Sequence, residues 1–432
     1  MDRNVKNLLF PVCSGDFPPK KVLSQPGSCS SQHDLRAPRP TAYNGPRVNK
    51  SIMPVTPKDQ VLVISAQHQQ ALDSTPVPDS WSWKDRGGNM IEDGSRNQGG
   101  CGCCWAMAVV SALSDRYAIK YKIANQELSA VPLISCGGAV IGSNMGPEGP
   151  CDGCGGTASN AQCTCGGSAI AAGLWLESIG STRLESCWPF TTVGSGDSPY
   201  VAPECPGFAF DPGSDCCLTC CGTPAAAQAF TVEKGSTHAI IARTGQGLDI
   251  PAIIRAIKLD VMANGPIVTS FWLPKPENGH PAFEEDWVEY AGTGKVFIPS
   301  TPRSDGRHSV VITGWGHDDR NNVDYWEMRN TWGEVNGPGS GYYRFAMSTS
   351  VPKAYWTGVD IPIDYSGDGN YAGGAVSMTP GKLPKGSWGK GNGGGPVGLG
   401  WKPQPGKPWP WLRYGWVAIG ILVLIILIVL LL

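Results

Sequence analysis

The last seventeen residues of the chain, Trp416 to Leu432, read WVAIGILVLIILIVLLL and carry no charge and no strongly polar group. A core helix keeps a polar side, and this run has none. Counted from Tyr414 it has 19 residues. At about 1.5 Å each, such a helix spans roughly 28 Å, close to a hydrocarbon core of ~30 Å. A transmembrane helix over 412–432, in contact with the lipid bilayer, is therefore expected. Everything before it must fold outside the hydrocarbon.

Four segments follow from composition. Residues 1–76 show little periodicity and read as a pro-segment or a disordered extension. No apolar core of signal-peptide length is visible in MDRNVKNLLFPVCSGDF. Residues 77–362 hold most of the Trp, the Cys clusters and the alternating apolar runs, and are expected to form the folded domain. Residues 363–411 are rich in Gly, Pro and Lys and read as a linker. As a flexible coil, residues 366–407 would span on the order of 35 Å. The span follows.

The sixteen cysteines, most between Cys101 and Cys221, point to a disulfide framework and an oxidising compartment. Against this, Lys402, Lys407 and Arg413 precede the span, which favours the cytoplasmic side. Oxidation late, for example inside a virus particle, would reconcile the two. The side of the membrane stays open between virion and intracellular membrane. A formal net charge of −2 gives no basic excess for nucleic acid. Zinc at Cys151-x-x-Cys154 and Cys217-x-x-Cys220 is a rival to disulfides, but no His accompanies these pairs, and no metal or other cofactor is expected.

The chemistry concentrates in two places. Asn97-Gln98-Gly99-Gly100-Cys101-Gly102-Cys103-Cys104-Trp105-Ala106 opens a helix whose apolar stripe is Trp105, Val109, Leu113 and Tyr117. That puts Cys104 in the first turn, where orphan N–H groups and the helix dipole favour a thiolate. Gln98 and the Cys104 N–H are placed to bind a developing oxyanion, each such donor being worth about 3–4 kcal/mol of barrier. Cys101 and Cys103 read as disulfide partners, with Cys103 also a second candidate nucleophile. The other place is His308, which starts the run SVVITGWG. It is followed by Tyr325-Trp326, Asn330-Thr331-Trp332-Gly333 and Gly341-Tyr342.

The first segment resembles the active-site signature of the papain-like cysteine peptidases, Gln-Gly-x-Cys-Gly-x-Cys-Trp-Ala. Cys103 departs from it, standing where a small residue is usual. The second resembles the same family's His and Asn-Ser-Trp-Gly elements, with Thr331 in the Ser position. His308 and Asn330 follow Cys104 by 204 and 226 residues, more than the usual interval of about 130–150, which the Cys-rich insertions account for. Ser114-Asp115-Arg116, Cys187-Trp188-Pro189-Phe190 and Asn264-Gly265-Pro266-Ile267 are similar to the cathepsin B-like branch.

The resemblance implies an α+β, two-lobed papain-like fold, with a helical lobe bearing Cys104 and a β-barrel-like lobe bearing His308 and Asn330. It implies a cysteine endopeptidase that cleaves peptides and proteins through a thioester. In it Cys104 is nucleophile, His308 base then acid, Asn330 its orienter, Trp332 the shield at the substrate cleft, and Gly166 and Gly167 let substrate backbone approach. It further implies pairing of Cys101 with Cys163 or Cys165, Cys136 with Cys216 or Cys217, and Cys187 with Cys220 or Cys221. No His lies between Cys187 and Cys205, where cathepsin B has its cleft-blocking His pair, so the cleft is expected to be open. A catalytically inactive papain-fold binding protein and a peptide ligase are the alternatives.

Overall fold

The computed structural model describes residues 61–63, 74–99, 101–135, 167–178, 180–190, 228–241, 243–244, 247–248, 250–274, 290–298, 303–334, 339, 341–347 and 375–396. The expected span at 412–432 lies outside these, and no helix among the described residues is long and apolar enough to cross a membrane.

Helix α1 is a single turn, Trp83–Arg86, capped by Ser82, whose hydroxyl accepts the Asp85 N–H. Helix α2, Cys104–Tyr121, is the long central one. It is buried on every side from Trp105 to Ile119, so the expected stripe of Trp105, Val109, Leu113 and Tyr117 is only part of what it hides. Its polar residues Ser111, Ser114, Asp115 and Arg116 are buried too, and each is hydrogen-bonded. Lys122 ends the helix in the left-handed conformation.

Two short helices, α3 (Val131–Ser135) and α4 (Ala169–Ser178), pack with α2 to form one apolar core. Helix α5, Ile250–Asn264, buries Ile253, Ile257 and Val261 on one face and stops at Gly265, whose φ of +103° lies in the left-handed region. Pro266 follows and cannot extend the helix.

The strands are β1 (Val61–Val63), β2 (Trp81–Ser82), β3 (His238–Ile241), β4 (Arg243–Thr244), β5 (Gly247–Leu248), β6 (Ile267–Pro274), β7 (Val296–Phe297), β8 (Arg303–Asp318), β9 (Val323–Arg329), β10 (Tyr342–Ala346) and β11 (Ala375–Ser377). Nine make one mixed sheet in the order β1-β3-β11-β6-β8-β9-β10-β7, with β2 also on β8, and β4 pairs with β5. A second core, lined by α5 and the inner sheet residues Phe271, Val310, Ile312, Trp326 and Phe345, lies against this sheet. Helix α2 contributes Trp105 to Tyr117 to the first core and Ala118 and Ile119 to the second. The expected α+β class with helical and β-rich parts is what these elements form.

The expected linker is where the structure departs most from the sequence reading. Residues 375–396, inside the supposed 363–411 coil, pack onto the folded body. Strand β11 lies between β3 and β6, with Val376 opposite Ala239 on one side and Val268 on the other. Beyond it, the Tyr121 hydroxyl donates to the Gly381 carbonyl at 2.7 Å, and the Ala124 N–H to that of Gly389 at 2.7 Å. Asn89 and Asn392 each accept the other's backbone N–H at 2.8 Å. The glycines here are packing residues. A Cβ at Gly393 would sit 1.8 Å from the Gly87 carbonyl oxygen. At the other end, Val61–Val63, within the expected 1–76 extension, runs parallel to β3.

Candidate active site

Cys104 is the first residue of α2, with Cys103 at the N-cap. The entry loop is fixed by backbone bonds, the Cys101 N–H donating to Gln98 at 3.2 Å and the Cys103 N–H to Cys101 at 2.8 Å. Cys103 and Cys104 are free thiols, Cys103 fully buried and Cys104 partly so. The expectation of a disulfide at Cys103 is therefore corrected: its sulfur is packed into the α2 core as a small apolar group. Burial pushes its thiol up, and the neighbouring Cys104 sulfur pushes the same way. Cys101 and Cys187 are disulfide-bonded. The expected partners Cys163, Cys165, Cys220 and Cys221 lie outside the described residues, as do Cys136, Cys216, Cys217 and the Cys151 and Cys154 pair.

His308 sits on β8 opposite Phe271 of β6. It is buried, and its Nε2 lies 2.6 Å from Asn330 Oδ1. An amide oxygen only accepts, so Nε2 carries the proton and Nδ1 keeps the lone pair. The Trp332 ring covers the imidazole at 4.4 Å between centroids and 31° between planes, and the Phe271 edge meets it at 5.7 Å. Burial holds the imidazole down at about 4, partly offset by the bond to Asn330. The sequence reading expected a thiolate stabilised by the helix start. Burial instead pushes the Cys104 thiol up, against donors from the Ser309 N–H and hydroxyl and from the Trp105 and Cys104 N–H groups. Burial thus disfavours the charged form of both the thiol and the imidazole.

Gln98 is buried. Its side-chain N–H donates to the Cys101 carbonyl at 2.8 Å, its Oε1 accepts from the Thr331 hydroxyl, and its backbone N–H donates to Thr331 at 2.8 Å. Asn97 and Trp332 form an antiparallel bridge, and the Gly333 N–H donates to Arg96 at 2.8 Å. The segment before the helix and the one after β9 are thus bonded along their length. Thr331 reaches across to hold the amide, a job visible only once both segments are seen side by side.

Of the expected substrate-binding glycines, Gly166 lies outside the described residues. At Gly167 a Cβ would meet the Trp105 indole, so the position has no room for a side chain. Among the other histidines, His317 is exposed and bonded to Asp324, and His238 is buried on β3, its Nδ1 against the Ser236 carbonyl at 2.8 Å.

Behind Asn330, and unread in the sequence, lies a buried ion cluster. The Arg329 guanidinium lies 2.6 Å from both the Asp115 carboxylate and the Ser111 hydroxyl of α2. Ser111 donates to Glu92 at 2.7 Å, and Glu92 also pairs with Arg96. Burial pushes Glu92 up, but Arg96 and Arg329 outweigh it and hold its carboxyl at about 2. Burial, only partly countered by Arg329, lifts Asp115 to about 6.

The sequence matches the family described as papain family cysteine protease over residues 77–170 and 254–356. Those stretches contain Gln98, Cys104, His308 and Asn330 and end before β11. Among curated relatives, the chain is 29% identical over 266 residues to a cathepsin B-like cysteine proteinase 4 of Caenorhabditis elegans, covering 59% of this chain and 66% of that protein. It is 25% identical over 312 residues to a cathepsin B-like cysteine proteinase 1 of Haemonchus contortus, covering 71% and 78%. A solved procathepsin B of Trypanosoma congolense is 18% identical, with a TM-score of 0.45, over 79% of this chain and 92% of that one. The chain belongs to the papain family of cysteine peptidases, on its cathepsin B-like branch.

Proposed function

We propose that this protein is a membrane-anchored cysteine endopeptidase. The observation that carries the reading is the Nε2–Oδ1 bond of 2.6 Å between His308 and Asn330, under Trp332. Asn330 fixes the tautomer that leaves Nδ1 basic, and Trp332 keeps water from competing for that bond. In the reaction Nδ1 takes the Cys104 proton, and the sulfur attacks the peptide carbonyl. The oxyanion is met by the Cys104 N–H and the Gln98 amide. His308 then protonates the leaving amine to give a thioester, and finally activates the water that hydrolyses it.

The endopeptidase assignment is supported by the lack of His between Cys187 and Cys205. The anchor is supported by the apolar run at 412–432.

The test is hydrolysis of internally quenched peptides by the full chain in detergent. Wild type should cut within the peptide, and Cys104→Ala should be inactive. Release of dipeptides from C-termini would refute the endopeptidase assignment. Recovery of the expressed chain in the carbonate-soluble fraction, instead of with membranes, would refute the anchor.

A further inference from the structure

Residues 380–396 form a strap over the end of α2 that lies farthest from Cys104. The Pro380 carbonyl accepts the Lys120 ammonium at 2.7 Å, and the Gly381 carbonyl accepts the Tyr121 hydroxyl at 2.7 Å. Lys390 forms an antiparallel bridge with Ile123, and the Gly391 N–H donates to the Lys122 carbonyl at 3.0 Å. Between these points the Trp388 indole N–H donates to the Pro384 carbonyl at 3.0 Å, and its ring packs on Phe230 at 5.8 Å between centroids. The strap is therefore fastened to the helix end at both sides of the turn 384–388.

This fastening gathers charge of one sign. Lys382, Lys385 and Lys390 are exposed on the strap, and Lys120 and Lys122 are exposed on the helix end beneath it. The strap itself has no Asp or Glu. Glu233 pairs with Lys120 at 3.3 Å, and the other four lysines have no ion pair among the described residues. Like charges held on one face repel one another and draw negative partners to it. The sequence indicates which partner. From Gly369 to Leu432 there is no acidic residue, and Lys402 and Lys407 lie between the strap and the apolar run at 412–432. The basic face is thus the part of the folded body next in the chain to the anchor.

We propose that the face built from the end of α2 and the strap docks on anionic lipid headgroups of the membrane that holds the anchor. The inference rests on the membrane-anchored reading above. Lys and Arg clustered beside a membrane span bind anionic headgroups, and the attraction fades within a Debye length. Docking here also orients the enzyme. Cys104 begins the 18-residue helix and Lys120 lies in its last turn, so the nucleophile stands about 27 Å along the helix from the docked face, away from the lipid.

The test reconstitutes the full chain in vesicles of phosphatidylcholine alone and of phosphatidylcholine with phosphatidylserine. Lysines are acetylated with a water-soluble reagent, and the rate at each is read by mass spectrometry. At low salt, Lys122, Lys382, Lys385 and Lys390 should react about fivefold more slowly on the phosphatidylserine vesicles. Lys295, exposed beside β7 at the far edge of the sheet, should react equally on both. High salt should abolish the difference. Lys382→Gln, Lys385→Gln and Lys390→Gln combined should abolish it at Lys122 as well, with peptidase activity in detergent unchanged. Equal rates on the two kinds of vesicle overturn the inference, and so does the same protection in detergent without lipid, which would mean that protein covers this face. Failure of the wild type to float with phosphatidylcholine vesicles overturns instead the anchor beneath it. In that event, flotation of wild type but not of the triple variant with phosphatidylserine vesicles upholds the basic face, and equal flotation of the two overturns it.

Discussion

The Arg329 guanidinium lies 2.6 Å from the Asp115 carboxylate, so the residue just before Asn330 is anchored to the helix that begins with Cys104. The two halves of the site come from opposite ends of the folded chain, and this ion pair ties them together. Removing one partner leaves a buried charge uncompensated. Arg329→Gln is therefore expected to lose on the order of 3–5 kcal/mol of stability, measured by denaturant unfolding. Peptidase activity of its folded fraction should fall as well, because Asn330 is no longer held. Arg329→Lys should recover part of both.

Asn330→Ala removes the acceptor that selects the His308 tautomer. The expected result is a fall in kcat of about 10- to 100-fold with KM nearly unchanged, measured on a quenched peptide. Trp332→Phe, which keeps a ring over the imidazole, should cost less than Trp332→Ala.

His308 gives a pH signature of stability. Its folded value of about 4 lies below the ordinary 6.5, because burial favours the neutral ring. The unfolded chain therefore takes up the proton first as pH falls. Acidification from about 6.5 to about 4 should destabilise wild type relative to His308→Gln by on the order of 3 kcal/mol, with the difference flat above 6.5 and levelling below 4. Melting temperatures of the two proteins across that range are the measurement. The same sign sets activity, which should rise as pH climbs through about 4, where Nδ1 becomes free to accept a proton.

The supposed linker gives the sharpest test of fold. The Ser377 hydroxyl donates to Asp260 at 2.9 Å, and Arg116 donates to Ser377 at 3.0 Å and to the Met378 carbonyl at 2.9 Å. Arg116 also pairs with Asp260. Ending the chain after residue 374 would leave this buried cluster incomplete and open β3 and β6 to solvent. Such a chain is expected to be insoluble or to unfold without a cooperative transition. Ending it after 396 should leave a folded enzyme, as read by thermal melting and thiol labelling.

What was legible in the sequence follows from the range of each signal. Cys104 at a helix start and His308 on an apolar strand are marked by their neighbours, so local pattern and family resemblance found them. Thr331 is marked only by its place in the Asn330-Thr331-Trp332-Gly333 element, and its bond to Gln98 is brought about by tertiary packing. Arg329, Asp115 and Glu92 stand apart in the sequence and become a cluster only when α2 meets β9. The segment 375–396 misled for a different reason. Glycine and lysine there match a flexible coil in composition, yet the glycines permit backbone contacts such as Gly393 against Gly87. Cys103 read as half of a disulfide by analogy with the clusters around it, whereas its position facing the α2 core makes it a packed thiol.

The most direct measurement is covalent labelling of the full chain with an epoxide thiol probe, followed by mass-spectrometric mapping of the modified residue. Modification is expected at Cys104, lost in Cys104→Ala, retained in Cys103→Ala and strongly slowed in His308→Gln. Modification at Cys103, or a rate unaffected by His308→Gln, would contradict a Cys104 nucleophile activated by His308.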